Sequence, residues 1–576
     1  MANYDVSVFD PIQKFFRVLQ PDKKDVLYLY IYAFFNSLIA LSLPLGIQVI
    51  IGLVVGGNMN ASVVLLISLI TLATLLSGVF QVIQLYIIEI IQRRLFSRAA
   101  FDFAYRIPRF QFEKISDQYI PEVVNRFFET LTLQKGFSKV LMDFSASTLQ
   151  IFFGLLLIAF YHPFYVFFSI ILLLIVFIIF YFTGSKGLQT SLKESSYKYE
   201  VVHWLEELGR TMNSFKLSSN MSLPLQKLDP MVSNYIYARR KHFQILSWQY
   251  LSIIVFKTSV IAAMLLIGSF LVIDNQINIG QFVAAEIIIV GVVNAVEKLI
   301  MSMDTIYDVM TAVEKLSVVT DIPLESTSGS SFDSLNTKKG IAVQLERFSF
   351  QFEPNTVKVL DDISLQIKGG EKICISGYND SGKSTLLKVL AGFYKDFQGG
   401  LLYNGIPLQN LQLDSLRSYI GGVSAADDVF SGTFAENITM NQNEASLQYL
   451  QEIAQVVGLL PFIQQQPKGF DTPIVSSGRS LPHSVVNKIM LARSLAMQPQ
   501  LLLIEDLFSN LEIADLLKIV QHLTAAQQPW TLLIASNKKV IAEQCERILV
   551  MQNGCLIADA PSTTILKDQQ YASLFH

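Results

Sequence analysis

Long runs of residues without any charged side chain dominate the first half of this chain. Residues 26–88 and 144–185 contain no Asp, Glu, Lys or Arg, and residues 247–301 contain few. A helix needs about 20 consecutive apolar residues to cross a bilayer, so each run can supply two such helices. Turns divide the three runs at residues 56–62 (GGNMNAS), 161–163 (YHP) and 274–280 (DNQINIG). The sequence therefore predicts six transmembrane helices in three hairpins.

The distribution of positive charge predicts how these helices are oriented. The segments 89–143 and 184–241 each hold nine Lys and Arg residues, whereas the three short turns hold none. Cytoplasmic segments of membrane proteins carry the excess of positive charge. Both segments and both termini are therefore expected on the cytoplasmic side, with the membrane helices continuing into the cytosol. The predicted location is a bacterial inner (plasma) membrane, with the lipid bilayer as a partner.

Overall composition agrees with a membrane protein. Only 16% of the 576 residues are charged, whereas soluble proteins contain about 25%. The net charge of −3 does not indicate a nucleic-acid partner, and none is expected. The three cysteines lack the spacing of a metal site and are expected to be small residues of a reduced core.

Two ionisable residues, Lys257 and Glu286, lie within the predicted spans. Ionisable groups at membrane depth usually face a bundle interior or a water-filled cavity. A substrate path and a structural role both remain open for this pair, because counting along the helices does not place the two at one depth. Pro44, in the first span, is expected to cause a tolerated kink rather than to form a gate.

The chain divides into four predicted segments. Residues 1–25 are polar and amphipathic, which is typical of a short cytosolic lead-in helix and not of a secretory signal. Residues 26–321 form the membrane domain, and residues 322–339, rich in Ser, Thr and Gly, form a linker. Residues 340–576 have the pattern of a soluble α/β domain.

A phosphate-binding motif follows the buried strand KICIS near the start of the α/β domain. Residues 377–385, GYNDSGKST, fit G-x-x-x-x-G-K-[ST] and precede a predicted helix, which is the context that the motif requires. Backbone N–H groups and the helix N-terminus can cradle phosphate oxygens. Lys383 is expected to reach the β- and γ-phosphates, and Ser384 to bind Mg²⁺. The expected binding residues are Gly377, Asn379, Ser381, Gly382, Lys383, Ser384 and Thr385.

Six helices followed by this domain resemble a half-size ATP-binding cassette (ABC) exporter, and the resemblance covers nearly the whole chain. It implies a polytopic α-helical membrane domain followed by an α/β P-loop cassette. It also implies a dimer of two such halves, whose cassettes close head-to-tail over two ATP molecules with Mg²⁺. Cassette closure then switches the helices between inward- and outward-facing states. Each ATP lies between the phosphate loop of one chain and the signature loop of the other.

Within this resemblance, the motifs that bind nucleotide are mostly kept. Phe352 takes the position of the aromatic residue that stacks on adenine. The fourth loop residue is Asp380 instead of Gly, which the loop can accommodate because Asp tolerates left-handed backbone angles, although its carboxylate is expected to weaken phosphate binding. Glu505, in LLLIED, takes the position of the Mg²⁺-associated Asp, and metal association through it remains possible.

The motifs that promote hydrolysis are mostly altered. Asp506 stands at the position of the catalytic Glu, one methylene too short, and a displacement of about 1 Å can slow a reaction about 100-fold. The Gln that couples nucleotide to the membrane helices corresponds to Ala425. The switch His corresponds to Ser536, which is too short to reach the γ-phosphate. The resemblance therefore implies a degenerate nucleotide-binding domain.

The signature Leu-Ser-Gly-Gly-Gln is replaced as well. Pro482 has neither the hydroxyl nor the N–H that contacts the partner's γ-phosphate. His483 places a bulky side chain where a backbone must approach closely, and we interpret it as a passive loop residue rather than a catalyst. The altered signature consists of Leu481, Pro482, His483, Ser484 and Val485.

Two functional hypotheses remain at this point. The first is a subunit of a dimeric ABC exporter with weak or partner-dependent hydrolysis, as a homodimer or as a heterodimer with a competent chain. Its substrate would be a peptide, a protein or a hydrophobic compound. The alternative is an ATP-binding but non-hydrolysing scaffold or regulatory subunit of a secretion complex.

Overall fold

The structure, a computed structural model, describes residues 9–56, 61–115, 119–218, 222–332, 340–352, 356–423, 429–440, 446–475, 481–505 and 511–576. The chain forms two compact units. The membrane unit comprises Met1–Arg109 and Asp117–Pro323, and the cassette unit comprises Phe110–Ser116 and Leu324–His576.

Helices account for the regular structure that is described in the membrane unit. A π-helical segment, Ser138–Phe144, precedes the helix Ser145–Ala159. The helices are α1 (Phe9–Leu19), α2 (Lys23–Ala40), α3 (Ser42–Val55), α4 (Ala61–Arg106), α6 (Ile120–Asn125), α7 (Glu129–Phe137), α8 (Ser145–Ala159), α9 (Pro163–Arg210), α10 (Met212–Leu217), α11 (Leu223–Ile273), α12 (Ile279–Met301) and α13 (Met303–Thr320), while the short α5 (Phe112–Ile115) belongs to the cassette unit.

Within the described residues, six helical stretches are long and apolar enough to cross a membrane, which confirms the six predicted spans. The longest helices, α4, α9 and α11, have 46, 48 and 51 residues. At about 1.5 Å per residue each extends about 70 Å or more, well beyond a hydrocarbon core of about 30 Å. The stretches are Asp10–Val55, Ala61–Arg109, Ile120–Ala159, Pro163–Arg210, Leu223–Ile273 and Ile279–Thr320.

The helix of the first membrane span is interrupted one turn before Pro44. Helix α2 ends at Ala40 and α3 begins at Ser42. Pro44 has no N–H to donate to the carbonyl of Ala40, four residues earlier, so the helical hydrogen-bond ladder breaks there. The predicted kink is therefore present, with a local cause.

The two ionisable residues of the predicted spans have different environments. The ammonium of Lys257 lies 2.8 Å from the Glu297 carboxylate, one helix away on α12. Lys257 thus belongs to a structural ion pair with a partner that the sequence did not single out. Glu286 has no such ion pair among the described residues.

The cassette unit is built on a six-stranded sheet with a smaller antiparallel sheet beside it. The large sheet has the order β12-β11-β3-β10-β9-β6, and the small one has the order β2-β1-β4-β5. The strands are β1 (Val343–Phe350), β2 (Leu360–Ile367), β3 (Lys372–Gly377), β4 (Gln398–Tyr403), β5 (Ile406–Pro407), β6 (Ile420–Val423), β7 (Gly432–Thr433), β8 (Pro473–Ile474), β9 (Leu501–Glu505), β10 (Thr531–Ala535), β11 (Arg547–Gln552) and β12 (Cys555–Pro561).

Helices surround the large sheet. Those of the cassette unit after α5 are α14 (Lys383–Leu390), α15 (Leu413–Arg417), α16 (Phe434–Thr439), α17 (Leu447–Val456), α18 (Leu460–Gln464), α19 (His483–Ala496), α20 (Ile513–Thr524), α21 (Lys539–Ala542), α22 (Ser562–Ile565) and α23 (Gln569–Ala572). Both faces of the sheet are covered, because Leu532 and Ile534 of β10 join one apolar core and Leu533 joins another. Strands buried on both faces read as continuous apolar runs, as LLLI does here.

Parallel pairing in the large sheet brings several predicted site residues to one edge. Ala535, the last residue of β10, lies opposite Ile375 of β3 and opposite Glu505 of β9. The chain therefore leaves β3, β9 and β10 at the same carboxyl-terminal edge. In open α/β sheets this is the edge at which ligands bind.

The division into units differs from the predicted boundaries in two places. Part of the predicted linker packs in the cassette unit, where Phe332 is buried and its backbone N–H donates to Ser415. Residues 333–339 lie outside the described part of the chain. Helix α5, from within the predicted membrane domain, also belongs to the cassette unit, where the Glu113 carboxylate accepts from the N–H of Asp396 at 2.9 Å.

A lysine is buried in the cassette core at the start of β3. Lys372 is 1% exposed, and its ammonium donates to the backbone carbonyls of Trp530 and of Gln528, the latter at 3.3 Å. Burial lowers the pKa of Lys372 to about 8, although Glu546 opposes this shift. The folded state therefore releases this proton at a lower pH than the unfolded chain does.

This difference predicts that the contribution of Lys372 to the stability of the cassette rises with pH between about 8 and about 10. Over that range the Lys372 side chain binds more protons in the unfolded chain than in the folded one, so its contribution to the free energy of unfolding increases with pH. The change Lys372→Met is expected to remove this increase. Thermal unfolding of the full chain, followed by the fluorescence of Trp530 in a Trp204→Phe, Trp248→Phe background, measures the effect. An equal rise with pH in both proteins would contradict it.

Candidate nucleotide-binding site

The phosphate loop joins the end of β3 to the start of α14. Gly382 is the N-cap residue of α14, with φ +94°, and no side chain caps this helix. The first N–H groups of a helix have no partner inside the helix and point outward along its axis. Together with the helix dipole they attract an anion. The strand–loop–helix arrangement predicted from the motif is present.

The side chain of Lys383 lies across the phosphate loop. Its ammonium donates to the carbonyl oxygens of Gly377 at 2.7 Å and Tyr378 at 2.8 Å, and to Ser381 Oγ at 3.2 Å. A positive charge is therefore held among the loop residues that are expected to surround a phosphate. The side chains of Tyr378, Asn379 and Asp380 are exposed at the rim of the loop.

The backbone of the loop requires particular residues at two positions. A Cβ atom on Gly377 would lie 2.2 Å from the carbonyl oxygen of Met551, so only glycine fits there. Asp380, which stands where the family motif has glycine, has φ +62°. This is the left-handed conformation that Asp tolerates better than most residues, as expected. The substitution at the fourth position therefore leaves the loop intact.

Asn537 fixes the first residue of the loop, and sequence reasoning missed it. Its side-chain oxygen accepts from Ser376 Oγ at 2.9 Å and from the N–H of Gly377 at 3.2 Å, and its amide donates to the Gly377 carbonyl at 3.0 Å. Its backbone carbonyl accepts from the N–H of the last residue, His576, at 3.2 Å. The only signal in the sequence was its place directly after an apolar strand, next to the expected switch position.

We expect Asn537→Ala to weaken binding of a non-hydrolysable ATP analogue about tenfold. The change removes three hydrogen bonds that orient the loop, each worth about 0.5–1.5 kcal/mol, and 1.4 kcal/mol corresponds to a factor of ten. Ser376→Ala is the matched control, because it removes only one of the three and should have a smaller effect. Equal affinities of both variants and the natural protein would show that Asn537 does not position the loop.

Glu505 and Ser536 lie at the ends of the neighbouring strands. Glu505 is partly exposed at the end of β9. Ser536, directly after β10, is 4% exposed, and its hydroxyl accepts from the N–H of Lys538 at 3.2 Å. The short Ser536 side chain thus takes part in a local turn.

Magnesium fits the oxygen donors at this edge. The described residues contain no group of three or more His, Cys, Asp or Glu side chains that could hold a metal ion. Mg²⁺ seldom needs such a group, since it is usually held by one or two protein oxygens together with phosphates and water. The Ser384 hydroxyl on α14 and the Glu505 carboxylate would hold it here. When bound, the ion would neutralise part of the negative charge of the phosphates.

Phe352 is available as an aromatic platform, whereas its neighbours are not. The side chain of Phe352 is 53% exposed, but Phe348 and Phe350 are buried at 0% and 3%. Edge contacts with Phe350 and Tyr394, at centroid distances of 5.3 and 5.9 Å, support one side of the ring. Stacking of adenine on Phe352 stays a prediction, and it agrees with this exposure.

The altered signature differs from the expected loop, because it forms the start of α19. His483 is the first residue of that helix and Pro482 is its N-cap, with no side-chain cap. Both are exposed, whereas Val485 is 7% exposed and belongs to the apolar core. His483 is therefore not a loop residue, and Val485 has a structural role.

A second asparagine organises the region next to α19. Asn437 is fully buried, and its side chain bonds to the backbone N–H and carbonyl of Phe430. Arg493 of α19 donates to the carbonyl of Asn437 at 2.8 Å and to its side-chain oxygen at 3.0 Å. This contact joins α16 to α19.

Ala425 and Asp506, the predicted positions of the lost Gln and of the catalytic Glu, lie outside the described residues.

Fold and site together define a membrane protein with a nucleotide-binding P-loop domain, and comparison with known proteins gives its family. The ABC transporter transmembrane region matches residues 26–296, and the ABC transporter domain matches residues 360–509. The chain belongs to the ABC transporters, with the two domains of a half-size exporter.

Individual relatives show the range of proteins that this chain resembles. A lactococcin transport/processing ATP-binding protein of Lactococcus lactis is 28% identical over 54% of this chain and 43% of its own length. The alpha-hemolysin translocation ATP-binding protein of Escherichia coli O157:H7 is 28% identical over 55% and 45%, respectively. An ATP-dependent lipid A-core flippase of Saccharophagus degradans is 29% identical over 49% and 46%. This chain therefore aligns with about half the length of these relatives.

A solved structure shares the whole fold. A bacterial Atm1-family ABC exporter with ATP bound superposes with a TM-score of 0.81, over 96% of this chain and 97% of the other. The two sequences are 17% identical, so this similarity establishes the fold alone.

Proposed function

We propose that this protein is one subunit of a dimeric ABC exporter that binds ATP with Mg²⁺ and hydrolyses it weakly or only with a partner. Cassette dimerisation would be coupled to alternating access of the membrane helices. The observation that carries the proposal is the geometry of the phosphate loop, where the Lys383 ammonium lies among the loop carbonyls and no side chain caps the start of α14. On the same edge of the sheet, the switch position is the short, buried Ser536.

The composition of the two ATP sites follows from head-to-tail pairing. In a homodimer, both sites combine an intact phosphate loop with the altered signature around Pro482 and His483. With a competent partner chain, one site has that partner's catalytic groups but this chain's altered signature. The other site has the reverse defect. We therefore propose that the partner-borne catalytic groups perform most of the hydrolysis, and we favour a heterodimer.

The names of three relatives support our proposal for the class of substrate. They include proteins named for transport of lactococcin, for translocation of alpha-hemolysin and for flipping of lipid A-core. All of these are peptides, proteins or amphiphilic lipids. We propose that this chain exports a molecule of this kind from an inner membrane, with both termini in the cytoplasm. The nine Lys and Arg residues in each long connecting segment support this orientation.

The proposal is tested with the full chain in lipid nanodiscs. Titration with a fluorescent non-hydrolysable ATP analogue and Mg²⁺ measures binding, and phosphate release measures turnover. We expect saturable binding with turnover below about 0.1 per second, which is about 100-fold below the usual enzyme median. Absence of analogue binding, or turnover near 10 per second that depends on Lys383, would contradict the proposal. Binding of the analogue without any ATP-driven substrate movement in vesicles would favour the scaffold alternative.

A further inference from the structure

Three of the buried oxygen atoms without hydrogen-bond partners in the membrane unit lie near the same end of two helices, α9 and α12. Among the described residues, Glu286 Oε1, the Tyr165 hydroxyl and Ser169 Oγ are buried and unpartnered. Tyr165 is fully buried and Ser169 is 7% exposed. Tyr165 and Ser169 are four residues apart on α9, so they lie on the same face of that helix. Buried polar groups in proteins nearly always have a partner, so such a group needs an explanation.

Ser169 and Glu286 lie at one depth in the bundle, and Tyr165 is one helical turn nearer the start of α9. Ser169 is six residues after the start of α9, and Glu286 is seven residues after the start of α12. Gly268 is five residues before the end of α11. At about 1.5 Å per residue, all three lie about 8–10 Å inside the same ends of their helices. Counting residues separately along the three helices therefore places Ser169, Glu286 and Gly268 at the same depth.

Contacts confirm that the three helices meet there. A Cβ atom on Gly268 would lie 3.7 Å from the Tyr165 hydroxyl and 2.5 Å from the ring of Phe282, which is one turn before Glu286. The absence of a side chain at Gly268 leaves room for the Phe282 ring of α12, and the Tyr165 hydroxyl lies at van der Waals distance from the same position.

Glu286 differs from the other acidic residue on α12 in having no cation. The Glu297 carboxylate is paired with Lys257 at 2.8 Å. Glu286 has no ion pair within the described part of the chain, and Oε1 is buried. An unpaired carboxylate in apolar surroundings is unfavourable, and ionisable groups at membrane depth therefore mark binding sites by default.

A ligand can approach Glu286 along an open face of α12. The side chain of Glu286 as a whole is partly exposed, although Oε1 is not. Ile279, Val290 and Asn294, which are exposed, follow the same face at helical spacing. The face is mainly apolar, so a molecule that slides along it must be apolar apart from the group that Glu286 binds.

We propose that Glu286, Tyr165 and Ser169 form a binding site for the primary ammonium group of an apolar exported molecule. An ammonium group has three N–H donors and no acceptor, which matches three unpartnered oxygen atoms. Its charge compensates the carboxylate, as Lys257 does for Glu297. This inference rests on the proposed export function and specifies the substrate: a cationic amphiphile, or an apolar peptide with a free amine.

Dansylcadaverine, an apolar fluorophore with a primary amine, is the probe for this site. It is titrated against the full chain in nanodiscs, with empty nanodiscs subtracted, and compared with its N-acetylated, uncharged form. We expect the amine form to bind the natural protein at least about tenfold more tightly than the acetylated form. Glu286→Gln should weaken amine binding at least about tenfold, and Tyr165→Phe should weaken it about threefold. Glu286→Asp should retain part of the affinity.

The control variant removes both members of the Lys257–Glu297 ion pair, so that neither residue is left as an unpaired charge. The double variant Lys257→Met, Glu297→Gln should bind the amine within about twofold of the natural protein. The inference is overturned if Glu286→Gln binds as tightly as the natural protein, if the acetylated probe binds equally well, or if the double variant loses as much affinity. Binding of the ATP analogue is measured in every variant. Loss of amine binding with unchanged ATP binding separates this site from the proposed nucleotide function.

Discussion

A cassette with its family motifs restored is expected to hydrolyse ATP at least about 100-fold faster than the natural protein. In our proposal, the natural motifs lack the groups that act on the γ-phosphate and the attacking water, while the loop keeps the residues expected to hold the phosphates. Restoring the lost groups is therefore expected to add interactions to a site that binds ATP. The changes are Ala425→Gln, Pro482→Ser, His483→Gly, Ser484→Gly, Glu505→Asp, Asp506→Glu and Ser536→His.

Single changes from this set should give much smaller gains, below about tenfold. Groups that act as a unit in a transition state are strongly non-additive, so each one needs the others. Val485 is left unchanged because it is 7% exposed in the apolar core, where Gln would be a buried polar group. Phosphate release from the full chain in nanodiscs measures the rate. The additional change Lys383→Ala must abolish ATP hydrolysis by the restored protein. A restored protein that binds the analogue but hydrolyses it at the natural rate would contradict our assignment of the motifs.

Lys383→Ala should lower the affinity for a non-hydrolysable ATP analogue at least about 30-fold. The Lys383 ammonium lies 2.7 and 2.8 Å from two carbonyl oxygens of the loop, so its charge is fixed where phosphate oxygens are expected. Removing one partner of a desolvated charge pair costs about 2–5 kcal/mol, and 1.4 kcal/mol corresponds to a tenfold change.

Lys388→Ala is the matched control for this variant. Lys388 is on the same helix, α14, but in its last turn. The variant Lys388→Ala removes an equal charge at the end of α14 that is farther from the loop. It should change the affinity for the ATP analogue less than about threefold. Titration of the full chain with the fluorescent analogue measures both. If Lys383→Ala binds within about twofold of the natural protein, the loop is not the nucleotide site.

The sequence predicted those features that depend on local composition. Charge-free runs of sufficient length gave the six spans, since a membrane tolerates little else. The motif at 377–385 gave the loop between β3 and α14, because its glycines and lysine have fixed positions in that structure. Pro44 gave the kink through its missing N–H. The left-handed Asp380 also followed from a local property of its residue type.

Features that depend on residues distant in sequence could not be predicted. The ion pair of Lys257 with Glu297 requires the crossing of α11 and α12, which no spacing in the sequence reveals. The contacts of Asn537 with Gly377 depend on the parallel pairing of β10 with β3, 160 residues apart in the chain. Phe332 looks like part of a polar linker until its core neighbours are known. The roles of Ala425 and Asp506 stay predictions from the family resemblance.

The bond between Asn537 and His576 links residue 576 to the start of the phosphate loop. The N–H of His576 donates to the Asn537 carbonyl, and the Asn537 side chain contacts Gly377. A fluorescent reporter attached near residue 576 is therefore expected to respond to changes at Gly377, and a bulky group at that position is expected to disturb the same contacts.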